Sequence, residues 1–297
     1  MGPLLAVGTA LCFALNSALY ERAGRRLGSG TIVHFRLLLA AALLLAWGAL
    51  TSGHAYPRGL PAAAQLLLAV SGVVGYVAGD SLGFEALVRI GAHLTAVAGT
   101  SYPLLAALLS FLFWGERLTP AQAGGVLLTL LGIALVIADK RRAARERAGR
   151  LDGAGLLLAF GAALCMAVGV LLSKRGMLLG AAPVAANIVR VCAGAAAALA
   201  LYGARGLIPG QLAALKAHRA DALRLGAGTL FGPVLGVSLL LTAMTLVPLG
   251  VAAALGQLSP VFLLLGGALF GGERIRWRGA AGTLLAVLGT ALLFLGR

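Results

Sequence analysis

Charged residues divide this chain into a series of long apolar windows. Positions 1–20, 37–57, 59–79, 90–115, 118–138, 153–173, 225–272 and 279–296 contain no Asp, Glu, Lys or Arg, and 176–204 is interrupted only by Arg190. Each single window has about the length of a helix that crosses a hydrocarbon core of ~30 Å. The window 225–272 is long enough for two crossings, and "VPLG" at Val247–Gly250 is where proline and glycine predict a reversal. About ten helices follow, numbered 1 to 10 along the chain. Hydrocarbon requires each segment to pair its own backbone groups, which favours helices. The strands of a barrel would be shorter and would alternate apolar with polar positions.

Composition narrows the picture to lipid. With 60% hydrophobic and 11% charged residues and a mean hydropathy of +0.98, the chain has too few polar groups to coat a water-soluble globule. The first apolar run lacks a basic leader, and Arg22, Arg25 and Arg26 follow it, so it is expected to be a retained helix rather than a signal peptide. Cys12, Cys165 and Cys192 all fall inside expected spans, which argues for packing residues rather than disulfides or metal ligands. No cofactor is expected.

The net charge of +15 sits in short connectors, a distribution that points to topology rather than to nucleic acid. Apart from Arg36 and Arg190, the connectors after helices 1, 3, 5, 7 and 9 hold 17 Lys and Arg, against 5 elsewhere. The positive-inside rule then puts the basic linker 139–152, "DKRRAARERAGRLD", in the cytoplasm and both termini outside a prokaryotic inner membrane. The same linker also suits anionic lipid headgroups. The stretch 206–225 mixes leucines with Lys216, Arg219 and Arg224 and reads as a helix lying in the interface.

The chain repeats itself. At an offset of 157, Pro103 meets Pro260, Phe113 meets Phe270, Gly115-Glu116-Arg117 meets Gly272-Glu273-Arg274, and Gly125 and Gly132 meet Gly282 and Gly289. Earlier, "ALC" recurs at Ala10 and Ala163, and Arg36 meets Arg190. These matches predict two five-helix repeats, 1–138 and 153–297. An odd number of crossings inserts the second copy upside down, so the fold expected is an all-α membrane protein of ten transmembrane helices in two inverted repeats. Inverted halves can exchange roles, which points to an alternating-access carrier with substrate near the midplane.

The paired "P…FWGERL" and "P…FGGERI" signatures, each closing the fourth helix of a repeat, resemble the drug/metabolite transporter superfamily in its ten-helix branch with two EamA domains. The resemblance spans the whole chain. It implies a basket in which helices 1, 3, 4, 6, 8 and 9 surround a cavity while helices 5 and 10 lie outside. It also implies export or exchange of small metabolites such as amino acids, drugs or sugars. Small multidrug relatives depend on an acid in the middle of helix 1, whereas this chain has none before Glu21.

Polar residues inside spans tend to face the interior, which gives candidate substrate-binding residues. Asn16 and Tyr20 share a face of helix 1 with Cys12. Thr95, Gly99 and Tyr102 form a face of helix 4, and Gln257 and Ser259 occupy the matching part of helix 9. Ser238, Thr242 and Thr245 form a stripe on helix 8, where Ser and Thr can equally bond back to their own helix. Tyr76 lies one turn before Asp80 in helix 3. Asp80 suits proton coupling or a substrate amine, or a charge pair with Arg36 at the same depth. The second half has Arg190 but Val237 where an acid would match, so Arg190 is open to a substrate carboxylate or to snorkelling at the interface. Pro103 and Pro260 are hinge candidates or fixed bends. Glu116 and Glu273 suit the turns that follow helices 4 and 9, and the glycines of helices 5 and 10 suit close packing or a homodimer as against a monomer.

The enzyme reading finds little support: there is no HExxH, and a membrane aspartyl protease would need a second intramembrane aspartate. The reading is a transporter of small metabolites, with amino acids or related compounds as the expected cargo. The alternatives are a multidrug or sugar and nucleotide-sugar carrier of the same fold, and more distantly a non-transporting sensor or scaffold.

Overall fold

The computed structural model describes residues 1–139, 152–271 and 277–295. Most of the basic linker, residues 140–151, and the Glu273-Arg274 copy of the signature lie outside the described residues. Among the described residues the α-helices are, in order, α1 Gly2–Leu27, α2 Ser29–Ser52, α3 Ala62–Gly72, α4 Asp80–Gly99, α5 Tyr102–Trp114, α6 Pro120–Asp139, α7 Gly153–Leu178, α8 Pro183–Ala204, α9 Ile208–Ala217, α10 Arg219–Thr229, α11 Val237–Met244, α12 Leu249–Gly256, α13 Ser259–Gly271 and α14 Trp277–Leu295. Two π-helical segments, π1 Val73–Gly79 and π2 Leu230–Gly236, join α3 to α4 and α10 to α11. No strand occurs among the described residues.

Local chemistry explains where helices begin and stop. Glu21 and Arg25 pair across one turn at 2.9 Å, and the charged end of α1 thereby stays helical beyond its apolar window. Glycines with positive φ end it at Gly28 (79°) and end α2 at Gly53 (72°), where the amide of Gly53 bonds to the Ala49 carbonyl. The turn Thr245–Pro248 separates α11 from α12, within the reversal expected there.

Among the described residues seven runs are long and apolar enough to cross a membrane: Gly2–Leu27, Ser29–Ser52, Ala62–Leu87, Gly153–Leu178, Pro183–Ala204, Arg219–Met244 and Leu249–Gly266. Tyr102–Trp114 and Pro120–Leu135 are shorter apolar helices. The window 90–115 is not one helix, because the chain breaks at Thr100–Ser101 between α4 and α5. The stretch 206–225 also divides, at His218, and its second part enters the long run Arg219–Met244 instead of lying wholly in the interface.

Each half's first helix packs against the helices of the other half. α7 packs against α3, π1, α4 and α5, while α1 packs against α10, π2, α11, α12 and α13. α2 meets α8, and α6 meets α14. Glycines set these approaches: a Cβ on Gly72 would lie 2.0 Å from the Arg190 carbonyl oxygen, one on Gly132 would lie 2.4 Å from the Ala286 amide, and one on Gly289 2.4 Å from the Thr129 amide. The glycine faces of α6 and α14 therefore meet each other within one chain.

The distribution of polarity is that of a protein in lipid. Leu66, Leu157 and Leu131 point outward, while His34, Ser71, Ser173, Asn187 and Thr229 are fully buried.

Candidate functional site

Between the halves lie two neighbouring cavities. The larger, about 270 Å³, is lined by Asp80, Gly83, Leu87, Thr95, Tyr102 and Gln257, with α7 supplying Ala159 to Met166. The smaller, about 60 Å³, lies among Tyr76, Tyr102, Arg190, Val237 and Gln257, walled by Phe13, Met166, Val170 and Leu240. Tyr102, Met166 and Gln257 line both.

The π segments shape this region. π1 runs past Gly169 and Cys165 of α7, and π2 past Asn16 and Phe13 of α1. They stand 157 positions apart, the offset of the sequence repeat. A π turn widens the helix and breaks the ordinary hydrogen-bond ladder, and such turns often sit at functional positions. In π2 the ladder is further interrupted by Pro233. Asn187 Nδ2 donates to the Pro233 carbonyl at 2.8 Å and to Ser238 Oγ at 3.0 Å, which ties α8 to the irregular backbone.

Of the expected binding residues, Tyr76, Asp80, Thr95, Tyr102 and Gln257 come together on these cavities. The others do not line them. Tyr20 shares a hydrogen bond with Thr229 (3.1 Å) over Gly228, and Asn16 packs on Gly232. Ser238 and Thr242 donate to the Val234 and Ser238 carbonyls at 2.6 and 2.8 Å, the local bonding that apolar surroundings favour. Ser259 opens α13.

Pro103 and Pro260 stand at the second positions of α5 and α13, directly after the breaks at Thr100–Ser101 and Gln257–Leu258. In a first turn the missing N–H costs no internal bond, so each proline begins a new helix and does not kink a continuous one.

The charged groups differ sharply between the halves. Arg36 Nη2 donates to Asp80 Oδ2, a part-buried pair with side chains 16% and 20% exposed. Arg190 is only 4% exposed, so it does not snorkel. Its Nε and Nη1 form no hydrogen bond, and its guanidinium lies 5.2 Å from the Tyr76 ring centre. The hydroxyls of Tyr76 and Tyr102 are likewise buried and unpaired.

Sequence reasoning missed several of the contacts around the site. Ser71, Ser173 and the Gly169 carbonyl form a buried cluster, with Ser71 Oγ 2.7 Å from Ser173 Oγ. Lys174 Nζ donates to Glu116 Oε1 at 2.6 Å, and Glu116 also accepts from Ser110 Oγ. His34 bonds Gln211 at 2.7 Å beneath the stacked ring of Tyr202. A legible signal existed for π2: the glycines of "GTLFGPVLG", Gly228, Gly232 and Gly236, repeat every four residues as Gly75, Gly79 and Gly83 do.

Comparison with known proteins agrees with this architecture. An uncharacterized transporter of Archaeoglobus fulgidus is 26% identical over 294 residues, covering 98% of this chain and 97% of that one. A protein of known crystal structure superposes with a TM-score of 0.76 at 19% identity, over 99% of this chain and 96% of that chain, which establishes likeness of fold. Residues 1–138 and 153–295 each match the EamA-like transporter family. This chain therefore belongs to the EamA-like transporter family and is a multi-pass membrane transporter.

Proposed function

We propose that the protein is an alternating-access carrier that exports or exchanges small metabolites, namely amino acids or related compounds, through the paired cavities. The observation that carries this reading is the placement of the cavities between interlocked halves. The larger one extends along the start of α7, toward the end that carries Arg89 and Asp152. At the other end Leu68 packs on Gly176, the Ser71–Ser173 cluster fills the interface, and the Lys174–Glu116 pair spans the halves. Cavities on one side of such a packed end are what a carrier closed at that end would show in one of its two states.

Opposite insertion of the halves has structural support. The run from Leu68 to Ile90 meets Gly176, Gly169, Cys165 and Gly155 in turn, so α7 is antiparallel to the third span of the first half. On this reading ten crossings are completed by the shorter helices, and the positive-inside bias sets the linker in the cytoplasm with both termini outside. Asp80 faces the larger cavity, which favours proton coupling as a second reading, while its bond to Arg36 opposes it. Flux into proteoliposomes of labelled amino acids, sugars and cationic dyes, with and without a pH gradient, tests the proposal. Uptake of an amino acid above empty vesicles is the expected result, and no flux of any class would overturn it. An unchanged pH dependence in Asp80→Asn would remove the coupling role.

A further inference from the structure

The two arginines at matching places in the repeats show how the smaller cavity is used. Arg36 and Arg190 correspond at an offset of 154, and Asp80 and Val237 at an offset of 157. In the first half Arg36 is answered by Asp80. In the second half the position of the acid is taken by Val237, and among the described residues no carboxylate pairs with Arg190. Between Arg190 and Val237 lies the smaller cavity.

The polar groups around that cavity are suited to an anion. A buried guanidinium without a counter-ion is strongly disfavoured in a low-dielectric interior, and its fork of donors matches a carboxylate in two parallel bonds. Arg190 brings unpaired Nε and Nη1 donors, and Tyr76 and Tyr102 bring unpaired hydroxyls. Apart from the Gln257 amide the remaining wall is apolar, so an anion bound here exchanges its water for these few donors. The cation–π contact with Tyr76 partly offsets the charge but offers no hydrogen bond to the fork.

We propose that Arg190 is a substrate-binding residue and that the carboxylate of the transported molecule completes, in the second half, the pair that Asp80 completes in the first. The carboxylate lies against Arg190 beside Val237, with the hydroxyls of Tyr76 and Tyr102 as further donors. The rest of the molecule extends past Met166 and Gln257 into the larger cavity, where Asp80 and Thr95 lie. This rests on the transport reading and names the chemical group its central site selects.

The test uses the purified full-length protein in detergent, with thermal stabilisation as the readout of binding. Free amino acids and simple monocarboxylates are each compared with their amides, for the wild type, Arg190→Gln and Val237→Asp. Some carboxylates are expected to bind roughly tenfold or more tightly than their amides, because a site built for a hydrogen-bonding group rejects the analogue lacking it. Both variants are expected to lose that preference. Val237→Asp is also expected to melt at or above the wild-type temperature, since the new carboxylate supplies the missing partner. Equal binding of acids and amides, retention of the preference in either variant, or a marked fall in the melting temperature of Val237→Asp would overturn the proposal. Carboxylate binding without flux in proteoliposomes would overturn only the transport reading, whereas flux that is indifferent to Arg190→Gln would overturn only this one.

Discussion

At the scale of single residues, the same side chain in two equivalent places is expected to respond to mutation in opposite ways. Arg36 has its carboxylate, so Asp80→Ala strands a part-buried charge and is expected to cost ~3 kcal/mol, seen as a lower melting temperature in detergent. Arg190 has no such partner among the described residues, so Arg190→Met removes an uncompensated charge from a largely apolar wall and is expected to leave the melting temperature unchanged or raised. A residue retained at a cost to stability is what a binding site requires, since the groups that hold a ligand lack partners within the chain. Asn187 presents a third case, because its two donated bonds hold π2. Asn187→Leu leaves the Pro233 carbonyl without that donor and is expected to destabilise by ~1–3 kcal/mol in the same measurement. Sequence spacing could not separate these roles. Ser238 and Thr242 form as regular a stripe as Tyr76 and Asp80, yet a hydroxyl reaches its own helix carbonyl while a phenol or carboxylate cannot.

At the scale of elements, glycine decides which helices touch. Gly132 and Gly289 let the backbones of α6 and α14 meet, so Gly132→Leu or Gly289→Leu is expected to cost at least ~2 kcal/mol through overpacking. Gly124 on the same helix meets nothing within 4 Å, and Gly124→Ala is expected to gain ~0.5–1 kcal/mol in helix propensity. Thermal unfolding of the three variants side by side separates contact from propensity. The long apolar windows and the glycine repeats were legible because lipid demands unbroken helices and close backbones require small residues. The glycine repeat marks where the π segments lie but not their π form, since one widened turn leaves the run of apolar residues unbroken and shifts only the register of its faces. The break at Thr100–Ser101 was hidden for a related reason: it carries no charge, and Pro103 reads as a kink until the helix start ahead of it is known.

At the scale of the whole molecule, reciprocal packing makes the halves mechanically dependent. Because α1 lies in the second half's helices and α7 in the first half's, neither bundle can tilt without carrying the other's leading helix. On the proposed mechanism the Lys174–Glu116 pair must part whenever the sealed end opens, since it joins α7 to the turn after α5. Tethering these two positions should therefore stop transport without unfolding the protein. The test replaces Cys12, Cys165 and Cys192, introduces Glu116→Cys and Lys174→Cys, and joins the new thiols with a short, reducible bifunctional reagent. A spacer is needed because the long side chains that now meet at 2.6 Å hold their backbones farther apart than a direct disulfide tolerates. Proteoliposome flux is expected to vanish on linking and to return on reduction, and each cysteine alone is expected to leave the reagent without effect. Undiminished flux with the tether in place would mean that this end never opens, and a carrier that alternates between two accessible ends would then be the wrong machine for this fold.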